Sequence, residues 1–298
     1  MTPDEYLQET LDAQKLDEDD VAELRKNRDE VEQLLRGHYG SSGGTVRYAG
    51  SYTKRTMVRE AYDLDLSFYF DRDDTSAGET LREIYEDAWR VLSEKYIVER
   101  RRSALRLRSR DSGSTHTDLR IDVVPGRFTD DEKADVFLHQ ENGEKGRLKT
   151  NPQVHVGLIR ESGVRGAIKL AKLWALDRDI GIKTFVLELL VVKCLASHRG
   201  RPLSEQLIVL FEDFRDNPEG LSVTDPANSN NDLTPLLDEV RYALSSWARL
   251  SLEQIANGNW AGVFEPRSAQ ARRASDLRTS LGRAARSSPA VRPWRSLP

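Results

Sequence analysis

The alternation of apolar and polar positions is clearest at residues 62–70, YDLDLSFYF. Leu64, Leu66, Phe68 and Phe70 fall on one face, and Asp63, Asp65, Ser67 and Tyr69 on the other, which predicts a half-buried strand. Helical spacing marks three stretches before residue 150 or just after. Residues 18–36 place Val21, Leu24, Val31, Leu34 and Leu35 on one side, 79–94 carry Leu81, Ile84, Tyr85, Ala88, Val91 and Leu92, and 164–178 are helical. GHYGSSGG (37–44) breaks the chain after the first of these. Residues 103–109 and 117–124 read as two strands joined by the turn RDSGST, and DVFLH (135–139) as a strand ending in an ENG turn. FVLELLVVKCLA (185–196) is apolar on nearly all sides and predicts a buried helix. Another helix covers 203–214. DPANSNND (225–232) is a loop, after which Thr234 is expected as N-cap and Pro235 as first helical residue of a helix with Leu236, Leu237, Val240, Leu244 and Trp247. An α+β first part is thus followed by an all-helical second part.

Composition narrows the class. The chain has 298 residues, 38% hydrophobic and 32% charged, enough for a sizeable core. No apolar run reaches the length of a membrane span, and MTPDEYLQETLDAQ lacks the basic start and apolar stretch of a secretory signal. Cys194 is the single cysteine, which excludes an intramolecular disulfide framework and a cysteine-based zinc site, and fits a reducing cytoplasm.

Charge is unevenly spread. Residues 1–35 hold 12 acidic and 4 basic residues, whereas 267–298 hold eight Arg and one acid, Asp276. The remaining 266 residues carry a net −11, which argues against a general nucleic-acid-coating role. The tail, rich in Arg, Ala, Ser and Pro, reads as disordered. Arg100, Arg101, Arg102, Arg106, Arg108 and Arg110 form a second basic cluster, expected to offset the acidic body rather than to touch phosphates. The five histidines, His38, His116, His139, His155 and His198, are scattered and read as structural or surface residues.

Several D-x-D pairs occur, and strand context separates them. Residues i and i+2 of a strand share a face, so Asp63 and Asp65 project side by side while Leu64 and Leu66 anchor the other face. Adjacent carboxylates repel unless a cation lies between them, and hard Mg²⁺ is the natural candidate. Asp122, in DLRIDVVPG, would join them if the two strands pair. The residues alone leave open that all three are exposed strand carboxylates.

Together, Gly50-Ser51, Asp63-x-Asp65 12 residues after Ser51, and Asp122 in IDVVPGRF resemble the polymerase-β-like nucleotidyltransferases, with G-S-Y-T-K-R-T opening the interval as in that superfamily. GAIKLAKLWALDRDIGIKTFVLELLVV (166–192) resembles the helical domain of oligoadenylate synthases, cyclic GMP–AMP synthase and the bacterial CD-NTases, with Lys172 and Thr184 at the positions of their helix Lys and Ser/Thr. TNPQVHVGLIRE and DPANSNND are similar to CD-NTase segments, and the absence of a Cys/His cluster favours the bacterial branch over a double-stranded-DNA sensor.

The resemblance implies an α+β fold: a polymerase-β-like nucleotidyltransferase domain with a mixed sheet at 1–160, an all-helical nucleotide-binding domain at 161–266, and the tail at 267–298. It implies that Asp63, Asp65 and Asp122 hold two Mg²⁺ ions (Mn²⁺ as substitute), and that Gly50, Ser51, Lys172 and Thr184 bind the nucleotide. It further implies a cytoplasmic enzyme that joins NTPs, ATP among them, into a cyclic di- or trinucleotide second messenger for antiphage signalling. Its partner would be a product-activated effector encoded nearby, with no membrane and no obligate double-stranded-DNA activator. A template-independent RNA nucleotidyltransferase and a catalytically silent nucleotide-binding module are the alternatives.

Overall fold

The computed structural model describes residues 1–40, 43–61, 63–110, 120–141 and 146–266. Helices α1 (Pro3–Ala13) and α2 (Glu18–Tyr39) open the chain, each with a capping box in which the N-cap side chain and the residue three further on exchange hydrogen bonds. Helix α2 runs past the expected end at 36 and stops at Gly40, whose φ of 75° only glycine adopts at no cost. There follow β1 (Thr45–Tyr48), α3 (Gly50–Lys54), β2 (Leu64–Phe70), α4 (Leu81–Ser93), β3 (Ile97–Arg100), β4 (Leu105–Arg108), β5 (Ile121–Phe128), β6 (Val136–His139) and β7 (Arg147–Thr150). The second part contains α5 (Pro152–Arg160), α6 (Arg165–Asp177), α7 (Thr184–Cys194), α8 (Leu203–Asp216) and α9 (Arg241–Ala256).

Among the described residues the strands form one mixed sheet, ordered β1-β2-β5-β4-β3, with β6 on β5 and β7 on β6. Only β2 and β5 run parallel; the other pairs are antiparallel. Leu64, Leu66, Phe68 and Phe70 point from β2 into a core shared with Leu24, Val31 and Leu35 of α2 and Ile84, Tyr85 and Ala88 of α4. A second core lies in the helical layer around Trp174, Leu190, Leu210, Phe211 and Phe214. Helix α1 joins this layer: Leu7 is buried in it, and the Tyr6 hydroxyl donates to the Phe264 carbonyl. Helix α7 is buried along nearly its whole length, as its all-round apolar sequence requires.

Three expectations change. The polar face of β2 is not open to solvent: Ser67 and Tyr69 are buried, Tyr69 against Phe128, Val136 and Leu138. Thr234 does not cap α9. Its hydroxyl bonds the backbone of Val223, Thr234–Leu237 form a short 3₁₀ turn, and α9 starts only at Arg241. The turn then carries Leu237 into the core while Trp247 stays partly exposed. Of the strand expected at 117–124, residues 117–119 lie outside those described, and β5 runs on past 124 to Phe128. The RDSGST turn, His116, the ENG turn, the middle of the 37–44 loop and the Arg-rich tail fall wholly or in part on residues outside those described.

Candidate active site

The parallel pairing of β2 and β5 decides the arrangement of the carboxylates. Asp65 and Asp122 are direct Cα partners in the register, and Asp63 lies just before β2 on the same face as Asp65. Next to them the chain turns from β1 into α3. The Ala49 amide bonds the Asp65 carbonyl at 2.8 Å, and Gly50 has φ 55°. A Cβ on Gly50 would overlap the Asp65 carboxylate, so this position needs glycine for two reasons at once. Burial first, then the charges of Asp122 and Asp63, push the Asp65 carboxyl up to about 7; Lys54 and the Ser51 amide pull the other way.

This face of the sheet and the helical layer enclose a cavity of about 910 Å³. Gly50, Ser51, Asp63, Asp65, Lys172 and Thr184 all line it. Asp122 does not. Its two carboxylate oxygens are held by Arg106 of β4, through Nε at 2.8 Å and a terminal nitrogen at 2.6 Å. Arg120 lies 3.2 Å from Asp63. Arg106 is thus a close partner of a candidate catalytic carboxylate, not merely a counterweight to the acidic body. The rest of the basic cluster divides. Arg100 pairs with Glu86 and stacks on Trp89, Arg108 reaches Glu99, and Arg101 and Arg102 line the cavity.

Lys172 is buried and fully engaged. Its Nζ donates to the Thr56 carbonyl at 3.0 Å and hydroxyl at 3.1 Å, and lies 2.5 Å from Glu188 Oε1. Lys54 takes the other Glu188 oxygen at 2.8 Å, and its Nζ also sits 4.9 Å from the centre of the Phe185 ring. Burial alone would raise the Glu188 carboxyl, but Lys172 and Lys54 hold it below its ordinary value. Lys54 and Glu188 are therefore site residues that sequence reasoning passed over. The available signal was one acid inside the apolar run FVLELLVV, which must find a cation when buried. Thr184, at the first position of α7, is exposed on the cavity wall.

His155 also belongs here. Its Nε2 lies 2.7 Å from Oδ1 of buried Asp225, whose other oxygen takes Asn231, and its ring packs against Phe185. The DPANSNND loop is thereby fastened to α5 at the cavity wall.

Among the described residues, no group of three or more His, Cys, Asp or Glu side chains is gathered as a ready metal cluster. Asp122 is turned onto Arg106. The donors themselves are all hard carboxylate oxygens, two on adjacent strands and Asp63 just before β2, and such a set fits a hard divalent cation.

No protein-family model matches the sequence, and no curated protein matches it in a sequence search. Solved structures match the fold over nearly the whole chain. CdnG, a CD-NTase of Bradyrhizobium diazoefficiens solved with GTP, is 13% identical, with a TM-score of 0.65 over 95% of this chain and 98% of that one. CdnC of E. coli MS115-1 with ATP is 18% identical, TM-score 0.62, over 94% and 98%. The Vibrio cholerae cyclic AMP–GMP synthase DncV, solved with a linear intermediate, is 17% identical, TM-score 0.53, over 71% and 63%. The chain therefore has the α+β fold of the bacterial CD-NTases, a mixed sheet with one parallel pair followed by a helical region. No helix among the described residues is long and apolar enough to cross a membrane.

Proposed function

We propose that this protein is a metal-dependent nucleotidyltransferase that joins NTPs, ATP among them, into a cyclic di- or trinucleotide second messenger. Its main support is one juxtaposition: Asp65 and Asp122 in register on a parallel strand pair, with Asp63 beside them, against Gly50-Ser51 at the edge of a large cavity. The kinship of fold to proteins solved with ATP, GTP and a linear dinucleotide points the same way.

Asp63, Asp65 and Asp122 would hold Mg²⁺, two ions, with Mn²⁺ as a substitute. Bound there, the ions would supply the charge that acidifies an acceptor ribose hydroxyl and offsets the charge on departing pyrophosphate. The chain's own residues do the rest. Gly50 lets backbone approach the carboxylates, and Ser51 offers a hydroxyl to the triphosphate. Thr184 offers a second hydroxyl from the opposite wall. Lys172 acts through the pair it forms with Glu188, and Lys54, with donor capacity left beyond its bond to Glu188, faces the same space. The two walls would hold two nucleotides close enough to react.

In this proposal residues 1–160 form the catalytic domain, 161–266 the helical nucleotide-binding domain, and 267–298 a separable tail. The enzyme works in the cytoplasm in antiphage (CBASS) signalling, its product activates an effector encoded nearby, and it needs no double-stranded DNA. Pyrophosphate release from mixed NTPs with Mg²⁺ tests the chemistry. The wild type is expected to release it and Asp63→Ala and Asp65→Ala are not; equal release by either variant would refute the assignment.

A further inference from the structure

Beyond the carboxylates, the same face of the sheet continues as a series of lateral rows. Asp65 is paired with Asp122, then Ser67 with Val124, then Tyr69 with Gly126. The last row is the widest, because Gly126 is in turn opposite Leu138 of β6, and Leu138 is opposite Leu148 of β7. Directly opposed residues share a face, and Ser67, Val124, Tyr69, Leu138 and Leu148 all line the cavity. Gly126 completes its row by having no side chain. A Cβ there would come within 2.7 Å of a Leu138 methyl and 2.9 Å of the Phe137 carbonyl oxygen, so the glycine lets Leu138 lie low across β5. Tyr69, Phe128, Val136 and Leu138 form an apolar cluster of their own, joined to neither of the two cores. An apolar floor on the carboxylate side of the sheet is thus set apart from the packing that holds each layer together.

We infer that this floor seats a purine base, that of the NTP whose ribose hydroxyl attacks, and that Leu148 and Arg102 help to select it. This rests on the nucleotidyltransferase reading and deepens it by assigning a base class to one of the two nucleotides. Spacing sets the direction of that nucleotide. Tyr69 is four residues along β2 from Asp65, about 13 Å at the usual strand rise, and Ser67 lies midway. One nucleoside laid along the strand fits this span, with its hydroxyl at the carboxylates, its ribose over Ser67 and Val124, and its base over Tyr69, Leu138 and Leu148. The floor is also broad, crossing the neighbouring strands β2, β5, β6 and β7, about 14 Å between the outer two. A bicyclic base covers more of it than a single ring does and so removes more apolar area from water. At the rim, exposed Arg102 lines the cavity from the turn between β3 and β4, and its carbonyl accepts from the Glu141 amide at 2.8 Å. A guanidinium only donates, and N7 of either purine accepts, whereas a pyrimidine has no such ring nitrogen. In the reaction placed this way, the hydroxyl oxygen of the purine nucleotide bonds to the α-phosphorus of the other NTP. Its proton passes to solvent, and the bond to pyrophosphate breaks.

The test gives the full-length protein each ordinary NTP in turn, with Mg²⁺ and a mixture of the four 2′,3′-dideoxy-NTPs. The dideoxy-NTPs lack the hydroxyl and can only be attacked, so the dideoxy-ended linear product, followed by mass spectrometry, reports the attacking nucleotide. ATP or GTP is expected to attack with a kcat/KM at least about tenfold above those of CTP and UTP. Leu148→Ser, at a half-buried position on the edge strand β7, is expected to raise the KM for the attacking purine nucleotide severalfold and to leave that for the dideoxy-NTPs unchanged. Arg102→Ala, an exposed change that leaves the floor intact, is expected to narrow the purine preference severalfold. Circular dichroism and melting check the folding of both variants. Equal use of all four NTPs by the wild type would overturn the purine seat and leave the nucleotidyltransferase reading in place. So would an equal rise in both KM values for Leu148→Ser, or unchanged KM values and preference in both variants. If the wild type links no nucleotides at all, the nucleotidyltransferase reading fails and the seat falls with it.

Discussion

Glu188 of α7 divides its two oxygens between Lys172 of α6, at 2.5 Å, and Lys54 of α3, at 2.8 Å, and Thr56 donates to it at 2.6 Å. One buried acid thus ties α3, beside the carboxylate-bearing face of the sheet, to the helical layer. Removing it leaves two buried ammonium groups without their counter-charge. Glu188→Ala is expected to cost about 3–5 kcal/mol of stability, read as a large fall in the denaturation midpoint. Lys54→Met leaves Glu188 paired with Lys172, so it should lose less stability while raising the KM for NTP. Equal, small effects of the two variants would show that the network carries no structural weight.

Gly50 is constrained by its left-handed φ and by the carboxylate packed on it. Gly50→Ala is expected to lower stability by about 1–3 kcal/mol and to cut turnover on the order of a hundredfold, because Asp65 must move. Unchanged turnover in steady-state kinetics would mean that Asp65 is not held where the reaction needs it.

The raised Asp65 carboxyl gives a pH signature. The folded protein binds this proton more tightly than the unfolded chain does. Its contribution to stability is therefore full below the ordinary value of 3.8 and is lost as pH rises through about 7. Thermal melts in a chelator should show this component in wild type and lack it in Asp65→Asn. Added Mg²⁺ should raise the melting temperature more above the raised value than at mildly acidic pH. Identical pH profiles for the two proteins would contradict a carboxyl raised by burial and by its two acidic neighbours.

The tail should be separable from catalysis. Among the described residues, Val263 and Phe264 are the last ones buried in the helical core. A chain ending at 266 is expected to keep its melting temperature and its NTP turnover, and loss of either would show that the Arg residues support the body.

What could be read from the sequence followed from local patterning. The alternation in YDLDLSFYF places Asp63 and Asp65 on one face without reference to the rest of the chain, α2, α4 and α6 follow from helical patterning, and α7 from its all-round apolar run. Asp122 was legible only as a candidate, since its place beside Asp65 depends on which strands pair and in what register. The burial of Tyr69 was hidden because part of its cover, Val136 and Leu138, comes from β6, some 70 residues on. Glu188 meets Lys54 and Thr56 across 134 and 132 residues. The Arg106–Asp122 pair likewise exists only once β4 lies against β5. Thr234 illustrates the opposite error: a good local N-cap pattern lost to a tertiary hydrogen bond with Val223.

The central claim concerns the product. The cavity of about 910 Å³ lies between two layers, and outside the tail the chain is acidic, a poor surface for retaining a long polyanion. The most direct measurement is mass spectrometry of the products made from all four NTPs with Mg²⁺ or Mn²⁺, before and after phosphatase treatment. The expected result is closed products of two or three nucleotides that survive phosphatase and are absent with Asp63→Ala or Asp65→Ala. A ladder of long, phosphatase-sensitive linear products, or NTPs left unconsumed, would contradict it.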